Sequence, residues 1–355
     1  PTREWVRRLY MVLPDGQGLD ITRGDIRADG WRMTFPAGRE LYSFDVPRYA
    51  YNDGVKSAMG PRFGKDMDLV DLFVGSEGIF GIIAEADVYL APWHPTVSLI
   101  AFLPSDADAL GMIRDIRADA AIDPEFLEYM DGGSLDLIRR VRADDPAAIR
   151  IPDLPEGAGA AVFLDVSADG TEDSRIEAVC RIAASHGGDA SMIWCGRGRE
   201  DQGRMREMRH AIPRSIFEYV ASLKGTMPGI HKMGTDMAVP DDRADEMMSF
   251  YRERLEEAGL EYVVFGHLGN NHPHVEIILK SMDDFERAKA VYEEFARKAV
   301  ELGGSPSAEH GIGKIKRECM RMMYGDEGIE ELRCVKNVID PKGILCPGNI
   351  LEERR

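Results

Sequence analysis

Most of the residues able to do chemistry fall in two short stretches: His267, His272 and His274 in FGHLGNNHPHVEI, then Glu309 and His310 in SPSAEHGIG, with His231 somewhat upstream. A histidine is mostly neutral near pH 7 and offers a lone pair to a metal or a proton. Two imidazoles with one carboxylate are a recurrent ligand set for a catalytic divalent metal that keeps positions open for substrate. His267 and His274 lie seven positions apart across a loop, so their rings converge if the loop folds over. Spacing alone leaves a second reading open, in which polar histidines simply satisfy a surface hairpin. His272 is an alternative ligand or a loop residue. His310 directly follows Glu309, and adjacent residues on extended backbone point in opposite directions. Gly311 and Gly313 allow the chain to wrap so that both serve one centre. A histidine beside a cation stays neutral and can accept a proton, which fits a general base. Arg209, next to His210 at the end of a charged helix, and Lys232, before a strand, can each bind a carboxylate or be a solvated surface charge.

The histidine loop must be held by strands. Tyr262–Phe265 and His274–Leu279 flank it and read as a hairpin of an antiparallel sheet, followed by a long helix from about Met282 to Leu302, where Gly303-Gly304 stops it. Upstream, strands at 97–102, 125–130, 160–166 and 190–194 alternate with helices at 106–118 and 172–185 and with an Arg- and Asp-rich helical insertion. That order predicts a ferredoxin-like α+β unit. Arg199 to His210 reads as a charged helix ended by Pro213. A strand is expected at Thr235–Val239 and a helix at Asp241–Ala258. At the start of the chain, Leu9, Met11 and Leu13 alternate, Pro14-Asp15-Gly16 turns, and Leu19 and Ile21 resume the alternation, so the chain is expected to open within a β-hairpin. Residues 31–68 are rich in Gly, Pro and Asp and predict a long irregular surface region. The apolar run from Met67 to Val74 leads into GSEGIFGII, which spacing permits as either a tight helix-to-strand connection or a cofactor loop. The tail predicts helices around 315–324 and 328–338, with turns at Asp340–Gly343 and Pro347-Gly348.

The 355-residue chain is long enough for more than one domain. A net charge of -18 argues against a nucleic-acid partner. Five cysteines without CxxC spacing point to a reducing compartment and provide neither a disulfide framework nor an iron–sulfur ligand set. With no apolar run approaching the roughly 20 residues of a membrane span, a cytoplasmic location is expected.

Four motifs in order, VDLFVGSEGIFGII, GHLGNNHPH, SAEHGIG and DPKGILCPG, span Val70 to Gly348 and resemble the FAD-linked D-2-hydroxy acid dehydrogenases. That group belongs to the vanillyl-alcohol oxidase superfamily and includes D-lactate, glycolate and D-2-hydroxyglutarate dehydrogenases. The resemblance implies an α+β chain. Residues 1–95 would be the C-terminal part of a FAD-binding domain of the VAO/PCMH type, residues 96–303 a ferredoxin-like antiparallel-sheet cap or substrate domain, and residues 304–355 a segment returning to the FAD domain. It places Gly75, Ser76, Glu77, Gly78, Gly81 and Ile82 near FAD. It makes His267, His274 and Glu309 ligands of a divalent metal (zinc, with manganese or iron as alternatives), His310 the proton acceptor, and Arg209 and Lys232 the residues that bind the substrate carboxylate. The implied reaction oxidises a D-2-hydroxy carboxylate to the 2-oxo acid, with hydride passing to FAD and the metal assisting deprotonation of the hydroxyl.

The chain departs from the family pattern in several places. Asn270, Asn271 and His272 replace the usual Asp, Gly and Asn of the loop, Cys346 stands where the family has Asn, and Glu276 takes a position usually neutral and polar. A carboxylate at 276 would repel an acidic substrate side chain. The family's N-terminal glycine-rich pyrophosphate loop has no counterpart here, so the first half of the FAD domain is expected on a second polypeptide or lost by cleavage, unless the chain holds FAD poorly. Electrons are expected to leave to a separate electron-transfer flavoprotein, quinone or cytochrome, with the protein peripheral to the inner membrane through such partners. Two other readings remain: a non-catalytic subunit of a redox complex, and an alkyl-glycerone-phosphate synthase type of flavoenzyme, whose His-rich motif SAEHGIG does not match.

Overall fold

The computed structural model describes residues 2–144 and 151–352, and the chain separates into two compact units. One comprises residues 1–92, 237–240 and 296–355, and the other residues 93–236 and 241–295.

In the first unit a short helical turn, α1 (Thr2–Trp5), precedes strand β1 (Val6–Val12), so the described chain does not open within a strand. β1 pairs antiparallel with β2 (Gly18–Thr22), with Leu9 opposite Ile21 and Met11 opposite Leu19, and the alternating apolar residues are buried as the sequence predicts. The segment expected to be irregular contains a second hairpin, β3 (Arg32–Ala37) with β4 (Glu40–Asp45). Its inward residues Met33, Phe35, Tyr42 and Phe44 alternate on one face. Pro36 within β3 and the Gly38-Arg39 turn make this stretch look like a loop in sequence. After an irregular run come α2 (Leu69–Phe73), capped by the Asp68 carboxylate, and β5 (Ile82–Val88). β5 pairs with β1 to give the order β2-β1-β5, and every β5 residue is exposed.

The second unit is built on a seven-stranded antiparallel sheet. Its first part runs β6 (Thr96–Leu103), α3 (Asp106–Ala118), β7 (Phe126–Met130), α4 (Gly132–Asp144), β8 (Ala160–Ser167), α5 (Glu172–Ser185) and β9 (Ile193–Gly196). The spatial order β7-β8-β6-β9 is the ferredoxin-like arrangement, with α4 as an additional helix between β7 and β8. The remainder of that insertion, residues 145–150, lies outside the described residues.

Helix α6 (Arg199–Leu223) continues through Pro213 where the sequence predicts a stop. Pro213 removes one backbone donor and costs roughly 3 kcal/mol in an isolated helix. Packing outweighs that cost, because Met205, Met208, Ala211, Ile212 and Ile216 bury one face of α6 against Ile100, Phe102, Met130, Phe163 and Phe265 of the sheet. The sheet then continues with β10 (Met233–Gly234), α7 (Ala244–Glu257), β11 (Glu261–His267) and β12 (His272–Ile278) in the order β10-β12-β11-β7. The strand expected at Thr235–Val239 is therefore shorter and earlier, and only Ala238 within that span makes an isolated bridge, to Ser305. α8 (Met282–Glu301) follows, and α9 (Arg317–Ile339) is interrupted at Gly325, whose non-helical backbone separates the two helices read from the sequence. No helix among the described residues is long and apolar enough to cross a membrane.

Asp131 caps the start of α4, accepting a hydrogen bond from the Ser134 amide at 2.7 Å. It is 5% exposed, and burial pushes its carboxyl up to about 6. A carboxyl raised above its unfolded value favours the folded state only while protonated, so this contribution is complete below about pH 4 and lost as the pH rises through about 6. Asp131→Asn should therefore melt higher than wild type at pH 7, by an amount on the order of 3 kcal/mol, and lose that advantage at pH 4. Thermal melts of both proteins across this range check it.

Candidate functional site

Hairpin β11–β12 carries the histidines. His267 is the last residue of β11 and pairs with His272, the first of β12, while Phe265 pairs with His274. Residues two apart on a strand share a face, so His267, His272 and His274 all project from one side of the sheet. The turn between the strands is a short 3₁₀ segment, Leu268–Asn270, closed by Asn271 in the left-handed conformation (φ 53°). Asn271 is pinned from outside the hairpin: its side-chain oxygen accepts from Arg117 Nη1 at 3.1 Å, its amide donates to Asp241, and Arg117 Nη2 meets Asp241 at 2.7 Å. Gly266 makes the ring cluster possible. Its φ is +112°, and a Cβ there would lie 2.7 Å from His274 Cδ2.

The three imidazoles form a compact group. Ring centroids are 5.7 Å apart for His267 and His272, 5.5 Å for His267 and His274, and 4.7 Å for His272 and His274. Each ring offers a nitrogen within 4.8 Å of a nitrogen of the others. On each ring one nitrogen faces a group that can only accept: His267 Nδ1 lies 3.0 Å from Glu128 Oε1, His272 Nε2 lies 3.1 Å from Asp236 Oδ1, and His274 Nδ1 lies 3.5 Å from the Thr235 carbonyl. Those acceptors favour a proton on the nitrogen they face, which leaves His267 Nε2, His272 Nδ1 and His274 Nε2 as the atoms able to ligate a metal. An imidazole oriented by a carboxylate or carbonyl through its second nitrogen is the usual setting of a metal ligand. The donor set therefore fits a divalent metal. His272 is fully buried and belongs to this cluster, a role its place in the loop sequence does not disclose.

The cations expected near substrate are held by buried carboxylates. Arg209 Nε donates to Glu128, and Lys232 Nζ stands 2.5 Å from Glu276 Oε1. Burial pushes the Glu128 carboxyl up, but the hydrogen bonds from His267 and Arg209 together with the charges of those groups hold it below the usual carboxylate range. Burial raises the Glu276 carboxyl, with Lys232 opposing the rise. A pocket of about 410 Å³ lies beside His267, lined in about equal measure by polar and apolar groups that include Arg117, Asp119, Asn270, Ile116 and Leu127. The sequence alone does not mark Glu128, Asp236 or Thr235 as the groups that orient the imidazoles. The available signal was an acidic residue at an inward position of the apolar strand FLEYM.

Glu309 and His310 lie in the first unit on an exposed part of the loop from Ser305 to Gly313, where Glu309 pairs with Lys56. Gly311 and Gly313 have φ of +74° and +57°, so the chain wraps there as the sequence predicts. Glu77 secures that wrap by accepting from the Ile312 and Gly313 amides at 2.6 and 2.8 Å. Gly75, Glu77 and Gly78 all have positive φ. The space beside Gly75 is taken by the Gly60 carbonyl and that beside Gly78 by Cys346 Sγ, at 2.7 and 2.8 Å from where a Cβ would stand. Ser76 is buried, whereas Ile82, 59% exposed at the start of β5, presents an apolar side chain that suits a flat aromatic group.

Residues 94–350 match the family of FAD linked oxidases, C-terminal domain. The chain is 31% identical over 303 residues to the glycolate oxidase subunit GlcD of Bacillus subtilis, covering 82% of this chain and 59% of that protein. It is 26% identical over 289 residues to a probable mitochondrial D-lactate dehydrogenase of Danio rerio, covering 80% of this chain and 54% of the relative. Among solved structures, a 4-ethylphenol oxidase from Gulosibacter chungangensis superposes with a TM-score of 0.59 at 16% identity, covering 99% of this chain and 67% of the other, a likeness of fold. The chain thus spans between half and three-fifths of the length of these curated relatives. With its family-specific region extending over most of its length, the chain belongs to the FAD-linked oxidases that share this C-terminal domain.

Proposed function

We propose that this chain forms the substrate- and metal-binding part of a flavin-dependent dehydrogenase that oxidises a D-2-hydroxy carboxylate to the 2-oxo acid. The observation that carries the reading is the trio of oriented imidazoles at the β11–β12 turn, in a chain of the FAD-linked oxidase family. His267 and His274 would hold a divalent metal, zinc in the first instance, with His272 as a third imidazole available to it, and Glu309 is the carboxylate that the family resemblance assigns to the same metal. When bound, the metal supplies Lewis acidity toward the substrate hydroxyl and FAD supplies the acceptor for the hydride. Arg209 and Lys232 orient the substrate carboxylate. Their own carboxylate partners, Glu128 and Glu276, fix where the cationic groups stand. His310 accepts the hydroxyl proton, and Gly75, Ser76, Glu77, Gly78, Gly81 and Ile82 lie alongside FAD. The electrons then pass to a separate acceptor, an electron-transfer flavoprotein, a quinone or a cytochrome.

The test is to supply the native protein with FAD and zinc, add D-lactate or glycolate, and follow bleaching of a redox dye. Dye reduction that needs both FAD and metal is the expected result. A preparation that retains metal and flavin yet reduces no dye with either acid would overturn the proposal.

A further inference from the structure

Glu276 lies two residues beyond His274 on β12, on the same face of the sheet, and is 2% exposed. Its Oε1 meets Lys232 at 2.5 Å, while its Oε2 is buried without a hydrogen-bond partner among the described residues. The neighbouring strand makes room for this carboxylate. Gly234 pairs with Glu276, and a Cβ at 234 would fall on the carboxylate itself. Elsewhere on the face, Glu128 holds Arg209 in the same manner, and in both pairs the carboxylate is the deeper partner, with side-chain exposures of 5% against 32% and 3% against 33%. Arg209 and Lys232 thus each face a carboxylate supplied by the fold. A buried carboxylate oxygen is stabilised by an incoming hydrogen-bond donor and opposes an incoming anion.

We infer that Glu276 determines specificity, selecting 2-hydroxy monocarboxylates with an uncharged or donor-bearing side chain over those with a second carboxylate. The inference rests on the hydroxy-acid reading above and narrows it to a substrate class. The charge of Lys232 is already balanced by Glu276 and that of Arg209 by Glu128, so the two cations can orient one substrate carboxylate, whereas a dicarboxylate adds a second anion that meets the unsatisfied Glu276 oxygen with no cation left to balance it. Loss of the Glu276 charge leaves Lys232 uncompensated and removes the preference.

The experiment is titration calorimetry at pH 8 on the zinc-loaded full chain, with D-lactate, D-glycerate and D-malate as probes, repeated on Glu276→Gln and Lys232→Gln. Wild type is expected to bind D-glycerate at least as tightly as D-lactate and D-malate about tenfold or more weakly. Glu276→Gln should shift the D-malate to D-lactate ratio by about tenfold toward D-malate, and Lys232→Gln should shift it the other way. If either variant melts too low to be measured, the wild-type ratio decides. D-malate binding wild type as tightly as D-lactate overturns the inference and leaves the hydroxy-acid reading standing. Failure of all three acids to bind a chain that retains zinc overturns that reading, and the specificity role falls with it.

Discussion

Replacing His274 with alanine should weaken zinc binding more than about 100-fold while the second unit stays folded. Loss of a group that merely orients a ligand typically costs 10- to 100-fold in metal affinity, and loss of the ligand itself costs more. His274 sits centrally in the cluster, its ring the nearest neighbour of His272 and also close to His267. It is half-buried at the end of the hairpin, so truncation removes a donor without emptying the core. Asp236→Asn and Glu128→Gln, which leave every imidazole in place, should weaken zinc by about 10- to 100-fold. Competition against a chromophoric chelator measures all three variants. A His274→Ala protein that binds zinc as wild type does would remove the metal from the proposed function.

Gly266→Ala should destabilise the second unit by about 2–4 kcal/mol and weaken zinc at the same time. Two effects combine. The backbone at φ +112° disfavours any L side chain, and the added carbon would sit 2.7 Å from the His274 ring. The ring would have to leave the Thr235 carbonyl, so orientation is lost together with stability. Gly203→Ala is the control. It lies in α6 with nothing within 4 Å of the new carbon, and should stabilise the protein by about 0.5–1 kcal/mol. Denaturant unfolding followed by circular dichroism reads both. Equal stability of Gly266→Ala and wild type would show that the ring does not depend on the missing side chain.

Where local pattern and tertiary packing agree, the chain is legible from its residues. α3 and α5 run over the predicted residues because their apolar periodicity matches the face they bury, and the β1–β2 register follows from simple alternation. Legibility ends where packing overrides local preference. Pro213 is a stop signal that the apolar face of α6 overrules, and Pro36 hides a hairpin whose inward residues do alternate. The same division holds at the site. His267 and His274 are recognisable because the loop that brings them together is short. Glu128 and Asp236 are not, because nothing near them in the chain says which imidazole they will face. Lys232 and Arg209 are legible as cations but not as closed ion pairs, since their partners arrive from other strands.

The hairpin that carries the three imidazoles also sets an order of events during folding. His267, His272 and His274 are separated by a single tight turn, so bringing them together costs little loop entropy. Glu128 and Asp236, which choose the nitrogen each ring presents, are 139 and 36 residues away from the histidines they orient. Such distant contacts form late. A metal could thus meet the imidazoles on the bare hairpin before their tautomers are set, and docking of β7 and of the segment after β10 would then tighten its grip. Zinc added at the start of refolding should accelerate the appearance of native structure more than zinc added to the finished fold alters its spectrum.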